Sequence, residues 1–264
     1  MAQREITAAI VLPLFVALLY WGSPIWFYFL SLAAILLGTR EYFNITSKIG
    51  VEGYPMLGLV MSFLLSLCFY FEGRYLQEWM MGSFLVIFGV WYFKDGDSRM
   101  ALDQIAYTLI GVLWVAGTLG YFILIRNLES GRYFLFFVFF VVWTGDTLAY
   151  YGGRKFGKHP FFPSISPRKT IEGAFCGLAA NTSAGALAHF WFLKEILLTH
   201  CLIMGLICGI IGQFGDLAES VLKRNALVKD SGGLIPGHGG VLDRVDSLML
   251  AGPAFYFYHK WVIS

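Results

Sequence analysis

Charge is scarce in this sequence. Only 14% of its 264 residues are Asp, Glu, Lys or Arg, against roughly 25% in an average soluble domain. A chain so poor in charge cannot solvate the surface of a water-soluble globule. The formal net charge of +2 is too slight to imply the basic footprint of a nucleic-acid binder, so no nucleic-acid partner is expected. Cysteine is scarce too. Cys68, Cys176, Cys201 and Cys208 all lie inside apolar stretches without CxxC spacing, which points to neither a zinc site nor a disulfide framework. They read as packing residues, small and apolar. The lead from Met1 to Glu5 has no net charge, and no small-residue cleavage site precedes a soluble domain. The first apolar run is therefore expected to be a retained helix rather than a removed signal. Internal repeats and low-complexity segments are also lacking.

What the chain does have is hydrophobicity: 58% apolar residues and a mean hydropathy of +0.67. Several runs approach the ~20 residues a helix needs to cross ~30 Å of hydrocarbon. Nine are readable, near 6–22, 24–38, 55–71, 76–93, 104–125, 133–152, 173–193, 196–214 and 248–263. The expected fold is all-α, a polytopic integral membrane protein with about nine transmembrane helices. Threading the runs through a bilayer with the N-terminus cytoplasmic puts 14 of the 19 basic residues on the cytoplasmic face. That asymmetry is what the positive-inside rule requires.

The two halves differ in character. Residues 1–130 carry almost no ionisable groups inside their runs and read as a transmembrane scaffold of helices one to five. Residues 131–264 read as a catalytic half, helices six to nine with cytoplasmic loops 153–171 and 215–247, where acids, glycines and cations concentrate.

Four constellations in the second half carry chemistry. Asp146, in Trp143-Thr144-Gly145-Asp146-Thr147, sits deep in an apolar run, where an acid faces a protein interior or a watery cavity. A structural acid satisfied by a neighbouring helix is the alternative. Ser166-Pro167-Arg168-Lys169-Thr170 looks like a helix start with serine as N-cap and proline at the first helical position. Free amides and a positive dipole there suit a phosphate, although positive-inside topology explains the basic residues equally well. Asp216, Glu219 and Lys223 recur at i, i+3 and i+7, so they share one helix face, as a site or as an intrahelical ion-pair series. The segment 232–240 then holds five glycines in nine residues around His238. Glycines let backbone amides approach a ligand closely. The loop enters Asp243-Arg244-Val245-Asp246, two acids on one face of the last helix. Carboxylates converging from two helices suit Mg²⁺, which bridges substrate phosphates. His238 is a candidate base or a hydrogen-bonding loop residue.

Ser220 to Asp246, S-V-L-K-R-N-A-L-V-K-D-S-G-G-L-I-P-G-H-G-G-V-L-D-R-V-D, resembles the signature of the phosphatidate cytidylyltransferases, also called CDP-diacylglycerol synthases. Ser166 to Gly173 resembles that family's S-P-x-K-T-x-E-G, and Asp146 to Tyr150 its acid-to-tyrosine stretch. The first 130 residues match mainly in hydropathy. The resemblance implies a reaction of CTP with phosphatidic acid, giving CDP-diacylglycerol and pyrophosphate with Mg²⁺ and a possible second cation. It implies Asp216 and Asp243 as primary metal ligands, Asp246 and Glu219 as acids close by, and Asp146 for cavity polarity or a further cation. Lys223 joins Asp216, Asp243 and Asp246 in the catalytic set. Ser166, Lys169, Ser220, Arg224, Lys229, His238, Gly239, Gly240 and Arg244 are the implied substrate-binding residues.

The implied setting is the inner cell membrane, multi-pass, with the site facing the cytoplasm and lipids around it. Oligomeric state, a homodimer included, stays open. Two rivals remain at this level: another lipid-phosphate enzyme, which would share Mg²⁺ and a polyphosphate, and a transporter or channel built around Asp146.

Overall fold

A computed structural model describes residues 13–93, 100–233 and 239–264. Its described residues are helical apart from one small hairpin and the connecting turns. They form two compact units: Met1–Asn127 with Leu222–Arg244, and Leu128–Val221 with Val245–Ser264. The described residues 222–233 and 239–244, read from sequence with the catalytic half, group with the first unit.

The first unit begins with α1 (residues 13–21), α2 (Pro24–Ile49), α3 (Pro55–Tyr70) and α4 (Leu76–Phe93). The sequence placed the second apolar run at 24–38, but α2 continues to residue 49. Nothing breaks the helix before Gly50, which takes the left-handed conformation (φ 90°) and returns its N–H to the Ser47 carbonyl. Residues 101–127 then form one long helix in three parts: α5 (Ala101–Val112), a π-helical turn (Leu113–Gly117) and α6 (Thr118–Asn127). α2 packs on α3, α5 and α6. Hydroxyls join the apolar contacts, Thr39 to Ser62 at 3.1 Å and Tyr28 to Ser66 at 3.3 Å. Such bonds hold helices together where hydrophobic association gives little.

In the second unit α7 (Gly131–Phe156) packs along α8 (Ile171–Trp191). Between them runs a hairpin of β1 (Pro160–Phe162) and β2 (Ser166–Thr170), antiparallel, pairing Pro160 with Thr170 and Phe162 with Ser166. This corrects the helix start expected at Ser166-Pro167. Residues 166–170 pair with β1, and α8 begins only at Ile171, capped by the Thr170 hydroxyl, which accepts from the Gly173 amide at 3.1 Å. Proline suits a two-stranded hairpin because both strands are edges.

α9 (Leu198–Asn225) and α10 (Leu242–Tyr258) follow, the latter extended by a π-helical turn, His259–Ile263. The division between the units falls within both helices. Small residues line the buried face of α8, namely Gly173, Gly177, Ala180, Ala184, Gly185 and Ala188. On α9, Gly205 faces the Asn181 carbonyl so closely that a Cβ would meet it at 2.6 Å. Close approach through small residues is the packing mode of helices in lipid.

Among the described residues three helical segments are long and apolar enough to cross a membrane: Ala101–Asn127, Gly131–Phe156 and Leu198–Asn225. All four cysteines are free, and Cys68, Cys201 and Cys208 are buried.

Candidate functional site

In the first unit the last turn of α9, the serine ahead of the glycine loop and the start of α10 come together. The Lys223 ammonium lies 2.6 Å from Asp243 Oδ1. The other carboxylate oxygen, Oδ2, accepts three donors: the Ser231 amide at 2.8 Å, the Ser231 hydroxyl at 2.8 Å and the Gly240 amide at 2.9 Å. Asp243 lies ahead of the apolar run 248–263. Burial raises its pKa, but the Lys223 hydrogen bond and the Gly240 and Ser231 amides outweigh that and hold it below the ordinary carboxylate value.

A residue the sequence reading passed over completes this cluster. Glu41 of α2 accepts from the Val241 amide at 2.9 Å through Oε1, and from the Leu242 amide at 2.9 Å and the Ser231 hydroxyl at 3.0 Å through Oε2. Ser231 has one hydroxyl proton and two carboxylates within reach of it. The glycines around it are there for space. A Cβ on Gly240 would run into Ser231 Oγ and Glu41 Oε2, and Gly239 adopts φ +80°, where a side chain is strained.

In the second unit the acids gather where α9 meets α10. A Cβ on Gly215 would strike the Asp246 carbonyl, and one on Gly212 would lie 3.2 Å from that of Ser247. These two glycines let the helices touch. The Asp246 carboxylate accepts from the Ser247 amide at 2.7 Å and feels repulsion from Asp216, Glu219 and Asp146. Asp146 on α7 is bonded by Ser247 and lies in the fields of Asp216 and Lys169. Lys169, next to last in β2, places its ammonium 2.5 Å from Asp216 Oδ2, with each side chain 30% exposed. Glu219 is buried.

The i, i+3, i+7 acids and base of α9 thus reach to other elements: Asp216 to β2, Lys223 to α10. Arg224, Lys229 and Arg244 are exposed. Ser166 and Ser220 are partly buried, on β2 and α9. His238 lies outside the described residues. Glu172 of α8 holds the turn after α7, accepting from the Lys158 and His159 amides at 3.1 and 3.3 Å and meeting the His159 ring at 2.6 Å. These bonds, the Lys158 amide foremost, bring its pKa down to about 2. A cleft of 170 Å³, lined by Phe161, Phe175, Ile210, Phe214 and Leu217 among others, opens in the same unit.

Among the described residues no three His, Cys, Asp or Glu side chains converge closely enough to enclose a metal ion. The donor chemistry nevertheless fits a hard cation. Asp216 and Asp243 each hold an ammonium at 2.5–2.6 Å, and Mg²⁺ asks the protein for only one or two carboxylates, the rest being waters and phosphate oxygens.

Comparison with known proteins follows the same direction. Residues 2–262 match the Cytidylyltransferase family. The chain is 30% identical to the phosphatidate cytidylyltransferase of Bacillus subtilis over 260 residues, 97% of each chain. It is 35% identical to that of Staphylococcus haemolyticus over 257 residues, 96% of each, and 32% to that of Staphylococcus aureus over 257, again 96% of each. With the match running nearly end to end and through both carboxylate clusters, the chain belongs to the cytidylyltransferase family and is a nucleotidyltransferase.

Proposed function

We propose that this chain is a phosphatidate cytidylyltransferase. The observation that carries the reading is its near-complete alignment, at 30–35% identity, with relatives bearing that name. In the reaction, a phosphate oxygen of phosphatidic acid forms a bond to the α-phosphorus of CTP. The bond from that phosphorus to the bridging oxygen of the β-phosphate breaks, and pyrophosphate leaves with the electron pair. The attacking phosphomonoester is already anionic, so no base is needed to activate it.

Catalysis of this kind is mostly positioning and neutralisation of charge. Lys169 and Lys223 serve the substrates' phosphates, exchanging their aspartates for phosphate oxygens. Arg224, Lys229 and Arg244, exposed to solvent, meet further phosphate charge, and Ser166, Ser220, His238, Gly239 and Gly240 complete substrate binding. Asp216, Asp243, Asp246 and Asp146 are the proposed ligands for Mg²⁺ and any second cation, Asp243 through the Oδ1 that Lys223 now faces. Bound there, a divalent ion supplies electrostatic stabilisation of the transferring phosphoryl group. The apolar cleft beside Phe175 and Phe214 offers an acyl chain a surface on the unit that carries Lys169.

The reading includes a chain of about nine membrane spans, N-terminus in the cytoplasm, resident in the inner cell membrane with its site on the cytoplasmic side. The excess of Lys and Arg in the corresponding loops supports that orientation.

The test is direct: purified protein in detergent, CTP and phosphatidic acid. CDP-diacylglycerol and pyrophosphate are expected in equal amounts, and only with a divalent cation. Absence of both products, with turnover of a polyprenol or sugar-phosphate acceptor instead, would replace this reading with another lipid-phosphate enzyme.

A further inference from the structure

Glu41 is a buried carboxylate, 5% exposed, to which the proposed reaction assigns no task. It lies some two hundred residues before its partners in sequence, yet it accepts hydrogen bonds from three of them, Val241, Leu242 and Ser231. Two of the donors are backbone amides at the start of α10. Such amides have no partner within their own helix, and the helix dipole favours negative charge beside them. Val241, immediately before the helix, has no side-chain acceptor with which to cap it. Glu41 supplies that cap from α2.

Its third donor links it to Asp243. The Ser231 hydroxyl is 3.0 Å from Glu41 Oε2 and 2.8 Å from Asp243 Oδ2, while the Asp243 amide points back at Ser231 Oγ from 3.3 Å. The first turn of α10, Ser231 and Asp243 therefore rest on one carboxylate from the half of the chain that looked like plain scaffold. Space is fixed as tightly: a Cβ on Gly232 would come within 2.7 Å of Glu41 Oε1.

We propose that Glu41 is a positioning residue for nucleotidyl transfer, setting the place of Asp243 through the N-terminus of α10 and through Ser231. This rests on the reading that Asp243 serves the reaction. Glutamine is nearly isosteric but turns one acceptor into a donor facing other donors, so the first turn of α10 must shift. A displacement near 1 Å at a reacting centre costs about 10²-fold in rate.

The experiment uses the full chain purified in detergent, assayed with CTP and phosphatidic acid. Glu41→Gln is expected to lower kcat by about 10- to 100-fold, with the KM for CTP nearly unchanged and the melting temperature within a few degrees of wild type. Ser231→Ala is expected to lower kcat less. The double variant should lose less than the product of the two single losses, because both changes cut the Ser231 linkage. A merely structural Glu41 would show a fall in folded yield and melting temperature at full kcat per folded molecule, and that result overturns the proposal. So do losses that multiply in the double variant. An inactive Asp243→Asn beside a fully active Glu41→Gln overturns the proposal alone. An active Asp243→Asn overturns the reading of Asp243 and the proposal with it.

Discussion

The Lys223 ammonium sits 2.6 Å from Asp243 Oδ1 with both side chains nearly out of solvent, 13% and 8% exposed. A pair so placed is weak grounds for stability, since desolvation offsets much of the attraction. Removing one partner is another matter.

Lys223→Met leaves Asp243 charged, buried and dependent on Ser231 and Gly240. About 3 kcal/mol of stability is expected to go, together with a fall in kcat of about 10²-fold, the size of effect seen when a charge-stabilising donor is lost. Thermal melting in detergent and the CTP assay measure the two separately. A variant with wild-type kcat would remove Lys223 from the reaction.

Lys169 and Asp216 contrast with that pair. At 30% exposure each, their ion pair is screened and contributes at most about 1 kcal/mol. Asp216→Asn is therefore expected to melt close to wild type while losing at least about 10²-fold in kcat. The swap Lys169→Asp with Asp216→Lys tests the distinction. It should re-form the ion pair and keep the melting temperature near wild type without restoring turnover.

Acid should destabilise the protein through Asp243. Its folded pKa lies below the ordinary value, so its contribution is fully present above the unfolded pKa of about 3.9 and is lost as pH falls through the folded value. The wild-type melting temperature is expected to drop on acidification below about pH 4, and that of Asp243→Asn to drop less. Glu172, lowered to about 2 chiefly by the Lys158 amide, titrates in the same direction, so Glu172→Gln should also flatten the slope.

Sequence reading reached the elements whose signal is local. The carboxylates of α9 recur with a helical period, and the glycines before α10 announce a close approach of backbone. Both clusters formed around residues chosen that way, Asp216 and Asp243. Glu41 was passed over because its role depends on a contact two hundred residues away, and because it lies beyond the apolar run read at 24–38. The clue was the continuing helical spacing of Ile35, Tyr42 and Ile45, all buried. Ser166-Pro167 misled for the opposite reason. The dipeptide is a good local helix start, but residues 166–170 pair with Pro160–Phe162 instead.

Gly215 offers the most direct test of how the second cluster is assembled. A Cβ there has nowhere to go, because the atom it would meet is the Asp246 carbonyl, backbone rather than a flexible side chain. Gly215→Ala must push α9 and α10 apart beside Asp216 and Asp246, since a Cβ cannot stay so close to a backbone oxygen. Overpacking of this kind costs about 1–3 kcal/mol. Better helix propensity of alanine, about 1 kcal/mol, offsets part of it. The expected variant is therefore only modestly less stable, yet its kcat falls more than tenfold, because the acids move relative to one another. Gly89→Ala is the control: nothing beyond its own helix backbone lies within 4 Å of its added Cβ, so propensity acts alone, and the melting temperature should hold or rise at unchanged kcat. Equal kcat in the two variants would show that helix contact at Gly215 does not set the geometry of the acidic cluster.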